Sequence, residues 1–355
     1  MANLTTEDLA DLALAARRNL PKLKFENLAA DIQKYYGLPH ILREENVTFA
    51  GGRGCEFEIM KTDSGQAKRT GPYDEDTIRI LDVLAKGFVP WKYYTVPFGI
   101  DLFEAAENSG PEQIVNLYRL RRIDALMSLT KLLEQDLWSK PTDSTVDDQL
   151  FGLFYWIVFN SSKGFNGGNP GGFSTCANID ASTVTQYANY TDTYVEISEG
   201  DAIPMLKEAH YKTDWEGPVE SPTYQRGKTD QVFYTNYDVR AEFESLVLNR
   251  NDNVGKDLGI YMGQTMMKGA PIIAVPQLDK DKTDATALAT AYPDPILMVD
   301  WSVLQPIILK KVFMNESKPK EVGKQHTTVA AHIDLGINTK CENRRKLAGM
   351  YRVSG

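Results

Sequence analysis

The sequence predicts an α+β fold with one long helix, an extended two-stranded loop ahead of it and a mixed α/β region behind it. Three observations carry this expectation. Apolar residues recur at three- and four-residue steps from Ile114 to Leu137, the period of an amphipathic helix. Cys55, Phe57 and Ile59 alternate with Glu56, Glu58 and Met60, the period of a strand with one wet face. Pro271 to Val275 and Ile296 to Val299 are short apolar runs bounded by turn residues, which read as fully buried strands. The 355 residues leave room for about two domains or one large irregular one.

In chain order, Thr5 to Ala16 reads as a short helix with Leu9, Leu12, Ala13 and Ala16 on one face, ended by Pro21. Asn27 to Tyr36 is a second, stopped at Gly37. Two short helices without a core of their own form an arm that needs another surface. The strand at Cys55 and a second extended run, Phe88 to Ile100, are separated by a long polar segment with Asp63, Ser64, Gly65, Gly71 and Pro72. A two-stranded ribbon is marginal in water, so it too is expected to lie on something.

Ser109 and Glu112 form a capping box with Pro111 in the first turn, and Pro141 ends the helix that follows. At about 28 residues it would span roughly 42 Å. Its stripe is Ile114, Leu117, Leu120, Ile123, Leu126, Met127, Leu129, Leu133 and Leu137. Arg119, Arg121, Arg122 and Asp124 interrupt that stripe, so its first half is expected to meet a polar or charged neighbour. Beyond it come the apolar Leu150 to Phe159, a glycine-rich loop at Gly164 to Gly172 and a strand at Tyr194 to Ile197. A helix follows at Tyr237 to Asn249, with Val239, Phe243, Leu246 and Val247 inward. Thr327 to Arg352 reads as terminal strands.

The formal charge of −9 argues against a protein that coats nucleic acid through its overall field. Cys55, Cys176 and Cys341 are far apart and form no C-x-x-C pair, so neither a disulfide framework nor a structural zinc site is expected. Glu7, Asp8 and Asp11 stand where a signal peptide would need a cationic start. The longest apolar stretch is too short for a membrane span, and synthesis and use in a cytoplasm are expected.

Motifs for chemistry fail on geometry. The loop Gly164 to Gly172 has Phe173 where a phosphate cradle needs Lys, and Pro170 removes a donor amide. Gly51, Gly52 and Gly54 miss the dinucleotide spacing and precede a strand. Counting a calcium loop from Asp279 puts Asp284 at the glycine position and Thr290 at the bidentate glutamate position. His326 and His332 share a strand face, with Asp334 two residues on, and read as surface histidines. No catalytic, metal or cofactor site is expected. The cluster Asn343, Arg344, Arg345 and Lys346 is read first as an inter-subunit contact, since Arg pairs carboxylates bidentately. A solvated strand is the next reading, and a nucleic-acid patch the last.

The order of elements and several stretches resemble the Hong Kong 97-like major capsid proteins of tailed bacteriophages. The stretches are Lys163 to Gly172 after Phe151 to Phe159, Lys268 to Asp279, Asp294 to Asp300 and Cys341 to Gly349. The resemblance covers roughly Phe25 to Arg352. It implies an N-terminal arm (1–46), an extended β-loop (47–104), a peripheral domain with a spine helix (105–150 and 324–355) and an axial domain (151–323). It implies a structural virion protein, without enzymatic activity, that self-assembles into hexamers and pentamers of an icosahedral shell around double-stranded DNA. The expected place is the virion, assembled in the host bacterial cytoplasm. Implied partners are other copies of the chain, a separate scaffolding protein, a portal and a decoration protein, with no membrane and no sequence-specific DNA binding. Trp91, Tyr93, Tyr94, Arg344 and Arg345 are the expected inter-subunit contacts. The rivals are an encapsulin-like compartment shell and, from another class, a soluble enzyme with a site assembled around His326, His332 and Asp334.

Overall fold

The computed structural model describes residues 35–42, 48–62, 65–71, 82–107, 111–146, 148–214, 230–249, 265–279, 291–322 and 325–353. The helix expected at Thr5 to Ala16, most of the one at Asn27 to Tyr36, and Ser109 of the capping box lie outside these residues.

The described chain opens with α1 (Leu38–Ile41), β1 (Thr48–Ala50), β2 (Gly54–Met60) and β3 (Leu84–Pro90). Strand β4 (Lys92–Asp101) leads through α2 (Leu102–Glu107) into the long α3 (Pro111–Leu137). After α4 (Leu153–Trp156) come β5 (Gly164–Gly167), β6 (Asn189–Tyr194), α5 (Ala202–Thr213), β7 (Gln231–Thr235) and α6 (Tyr237–Asn249). Strands β8 (Met266–Met267), β9 (Ala270–Ala274), β10 (Ile296–Asp300) and β11 (Leu304–Leu309) follow. The chain closes with β12 (Asn315–Glu316), β13 (Lys320–Val322), β14 (Gln325–Cys341) and β15 (Ala348–Arg352).

Strand β14 organises a six-stranded sheet. Along one edge it pairs with β4, from Thr328↔Asp101 to Ile337↔Lys92. The other edge is tiled by β13, β12 and β11 in turn, at Ala330, Asp334 and Ile337 to Cys341. Alternation puts Tyr94, Phe98, Ile100, Ile333, Leu335 and Ile337 in the core, with Tyr93, Thr95, Pro97 and His332 exposed. Helix α3 packs on β4, burying Tyr118, Leu129, Leu133 and Leu137. Each fully buried leucine contributes about 2 kcal/mol. Its first half meets charge, as expected: Arg121 holds Glu104 bidentately at 2.5 and 2.7 Å and the Gly99 carbonyl, and Arg122 pairs with Glu316 at 2.9 Å. Leu120 departs from the expected stripe and is exposed, because the helix turns that position away from the sheet.

A seven-stranded sheet has the order β5-β6-β15-β10-β7-β9-β8. Its central strands β7 and β10 are buried at every position, the condition of a sheet covered on both faces. Ile296 and Met298 face a core with α5 and α6, while Leu297 and Val299 face the main core that contains the 150–159 segment. Two expectations change here. The strand placed at Tyr194 to Ile197 lies earlier, at β6. Helix α5 was not expected. By register β4 belongs to the six-stranded sheet, β11 to β13 pair with β14, and β15 joins the seven-stranded sheet.

The two sheets meet where β14 ends. Buried Asn338 accepts the Phe151 amide at 2.8 Å and donates to the Pro90 carbonyl at 2.7 Å. Trp156 Nε1 donates to Thr339 Oγ1 at 2.8 Å. The segment Tyr36–Leu38 is fastened to α3. The fully buried Glu134 carboxylate of α3 accepts the amides of Tyr36, Gly37 and Leu38 at 2.9–3.0 Å and the Trp138 indole N–H at 2.8 Å. His40 stacks on Trp301 at 5.1 Å, and Trp301 donates to Tyr234 Oη at 2.9 Å.

Glu134→Ala is expected to cost roughly 3 kcal/mol in urea unfolding, because it strands several buried donors. A loss under 1 kcal/mol would show that water serves those amides equally well.

Candidate assembly surface

Trp91, Tyr93 and Tyr94 straddle the start of β4, and the structure separates them. Trp91 is buried, with its indole N–H on the Gly52 carbonyl at 3.0 Å. Tyr94 is buried as well. Its hydroxyl donates to Asp136 at 2.6 Å and accepts the Leu150 amide at 2.9 Å, tying β4, α3 and the 150–159 segment together. Burial first, and then the Asp136 charge, hold this phenol well above its ordinary range. Tyr93 points the other way and is 68% exposed. Of the three residues expected at a contact, Trp91 and Tyr94 are buried within the chain and Tyr93 is the exposed one.

Arg344 and Arg345 separate in the same way. Asn343 Oδ1 accepts the Arg345 amide and starts a tight turn over Arg344–Lys346. Arg344 is fully buried in its own chain. It donates to the carbonyls of Trp156, Tyr187 and Gly168 at 2.8, 3.0 and 3.1 Å and to Asn189 Oδ1 at 3.1 Å. Its donors are spent on acceptors of its own chain. Lys346 turns inward to the buried Asp300 at 3.5 Å. Arg345 is half-buried, with its guanidinium 4.9 Å from the Phe165 ring.

The ribbon β2–β3 pairs from Gly54↔Pro90 to Met60↔Leu84. It was expected to need an outside surface along its length, but its base has one within the subunit. Phe57 and Val89 are buried, and the Phe88 amide donates to Ala177 at 2.9 Å. Gly87 permits this, since a Cβ there would stand 2.3 Å from the Phe57 ring. The far end differs. Met60 and Leu84 face each other across the strands and are 64% and 47% exposed. An exposed apolar cross-strand pair at the end of a ribbon is suited to a contact. The alternation at Cys55 to Met60 carried this signal in the sequence, but only the pairing register joins Met60 to Leu84.

The residues of the enzyme reading, His326, His332 and Asp334, all lie on β14. His332 is exposed, and its backbone exchanges hydrogen bonds with Ser317. Asp334 stands opposite Thr95 and Asn315, and the side chain of His326 lies outside the described residues. Among the described residues no group of three or more His, Cys, Asp or Glu is placed to hold a metal ion. The glycine-rich segment Gly164 to Gly172 is β5 and the turn after it, with Gly164 and Gly172 at positive φ.

Nearly the whole chain superposes on capsid structures. The match to the capsid asymmetric unit of cyanophage A-1(L) has a TM-score of 0.58 at 13% identity, over 95% of this chain and 98% of that one. The capsid of Myoviridae phage XM1 gives 0.54 at 14%, over 95% and 98%. The capsid of the native GTA particle gives 0.54 at 12%, over 96% and 99%. No protein-family model matches the chain, and no curated protein does. The chain therefore has the α/β fold of these capsid proteins, with several sheets and few helices.

Two measurements check the internal placements. Arg344→Ala is expected to destabilise the subunit by roughly 3 kcal/mol or more, with Arg344→Lys recovering only part; a neutral Ala variant would return Arg344 to the surface. Burial pushes the Cys176 thiol up to about 11 and raises that of Cys341 as well, while Cys55 is half-exposed. Iodoacetamide should thus alkylate only Cys55 before unfolding and all three after it. Modification of Cys176 in the native chain would contradict the packing.

Proposed function

We propose that the chain is the major capsid (head) protein of a tailed bacteriophage, built on the Hong Kong 97-like plan. The observation that carries the reading is the likeness to a capsid asymmetric unit over 98% of that chain at a TM-score of 0.58. A ribbon ending in an exposed apolar pair supports it, since such a pair is suited to a neighbouring copy. In this reading the ribbon Gly54–Pro90 is the extended loop and α3 the spine helix. The six-stranded sheet is the core of the peripheral domain, and the seven-stranded sheet is that of the axial domain. Copies assemble into hexamers and pentamers of an icosahedral shell around double-stranded DNA, in the virion, after assembly in the bacterial cytoplasm. A separate scaffolding protein, a portal and a decoration protein are the further partners. Function then lies at the subunit boundaries, and the chain performs no catalysis.

Negative-stain microscopy of the expressed chain, alone and with its scaffold, should show capsomer rings or polyhedral shells. A clean monomer under both conditions overturns the reading. Deleting Thr62 to Thr77 should leave circular dichroism unchanged and abolish assembly, whereas global unfolding would place that segment in the subunit's own core. Met60→Ser with Leu84→Ser should raise the concentration needed for assembly roughly tenfold, the weight of a modest interface anchor.

A further inference from the structure

Between β11 and β12 the chain leaves the edge of β14 and makes an excursion over Lys310 to Met314. The Lys310 amide still reaches the Ala50 carbonyl at 2.9 Å, and the excursion is pinned to β14 where the Gly336 amide donates to Val312 at 2.9 Å. Two non-glycine residues in it hold a left-handed backbone, Lys311 at φ 76° and Met314 at φ 47°. Such residues carry a conformational cost of about 1 kcal/mol or more. The side chains presented in return are exposed Lys310 and Lys311 and the 43%-exposed Phe313. On the other flank of Gly336 stands Tyr93, its cross-strand partner and 68% exposed. Between them the Leu309 side chain lies over Gly336, where a Cβ would stand 3.0 Å from Leu309 Cβ.

Lysines on a free sheet edge are accounted for by protection against strand pairing, and Lys320 in β13 fits that explanation. Lys310 and Lys311 do not, because β11 is already paired on both sides, by β1 and β14. In a chain with 48 acidic against 39 basic residues, these two adjacent cations have no carboxylate partner among the described residues, and Tyr93 and Phe313 are exposed near them in the sheet. Aromatic rings with flanking cations are the composition of a contact centre, and the acidic balance of the chain supplies the complementary charge.

From this we infer that Tyr93, Lys310, Lys311 and Phe313 form a contact surface for an acidic face of a second copy of this chain. The inference rests on the assembly reading above and adds to it a site outside both ribbon and arm. The rings supply apolar contact area, the lysines pair carboxylates of the neighbour, and the left-handed turn fixes their position before the copies meet.

The test uses the full chain with Lys310→Glu/Lys311→Glu, the uncharged Lys310→Gln/Lys311→Gln, and Tyr93→Ser/Phe313→Ser, each checked by circular dichroism and thermal melting. Assembly is followed by light scattering and sedimentation. The reversal should block assembly, and the two milder variants should each raise the concentration required by roughly tenfold. Added salt should weaken assembly of the parent chain more than that of the Gln variant. Should the reversal unfold the chain, the Gln variant decides. Folded variants that assemble like the parent overturn this inference alone, and a parent chain that never self-associates overturns both readings. Variants that assemble normally but lose affinity for a double-stranded DNA fragment would give the patch to nucleic acid and overturn the inference as well.

Discussion

The whole arrangement depends on the need of one strand for hydrogen-bond partners on both edges. Strand β14 runs 17 residues, about 57 Å at the extended rise, and a buried strand cannot leave its amides and carbonyls unpaired. One edge is met by β4 almost alone. The other is met by a chain that comes back beside it in three pieces, β11, β12 and β13. The length of α3, about 40 Å for its 27 residues, is matched to that sheet. The same strand then ends inside the junction, where Asn338 and Thr339 exchange side-chain hydrogen bonds with the 150–159 segment.

Polar groups do much of the fastening inside this subunit. Glu134 gathers backbone donors from the incoming chain, Asn338 serves two segments, and Arg344 serves four acceptors. Each is buried, and each holds segments far apart in sequence. Apolar packing places such segments near one another, but the directed bonds fix which residue meets which. They also absorb charges that would otherwise stand on the surface, so the exposed cations at Lys310 and Lys311 are set apart from Arg344 by what surrounds them rather than by residue type.

Periodic features were legible in the sequence, and features made by pairing were not. Helix α3 lies within a residue of its expected end, and α6 matches its expected span at Tyr237–Asn249. Strand β10 was marked by a short apolar run because both its faces are buried, and β9 by a run with one face buried and the other partly so. Helix α5 was missed although Ala202, Met205, Leu206 and Ala209 hold helical spacing, since Pro204 in its first turn reads as a breaker. The contact candidates show the limit most clearly. Tyr93 and Tyr94 are identical residues, and only the pleat of β4 decides which of them faces solvent. Arg344 and Arg345 are neighbours in sequence, and a turn sends one into the core and leaves the other half-buried.

The junction built by Asn338, Thr339, Trp156 and Arg344 behaves mechanically as a welded elbow. No glycine-rich strap separates the two sheets at that point, and bending one against the other would break several buried hydrogen bonds at once. A subunit of this kind carries load as a stiff bracket. What hangs from that bracket is the ribbon, held to the core at Phe57 and Val89 and exposed at Met60 and Leu84.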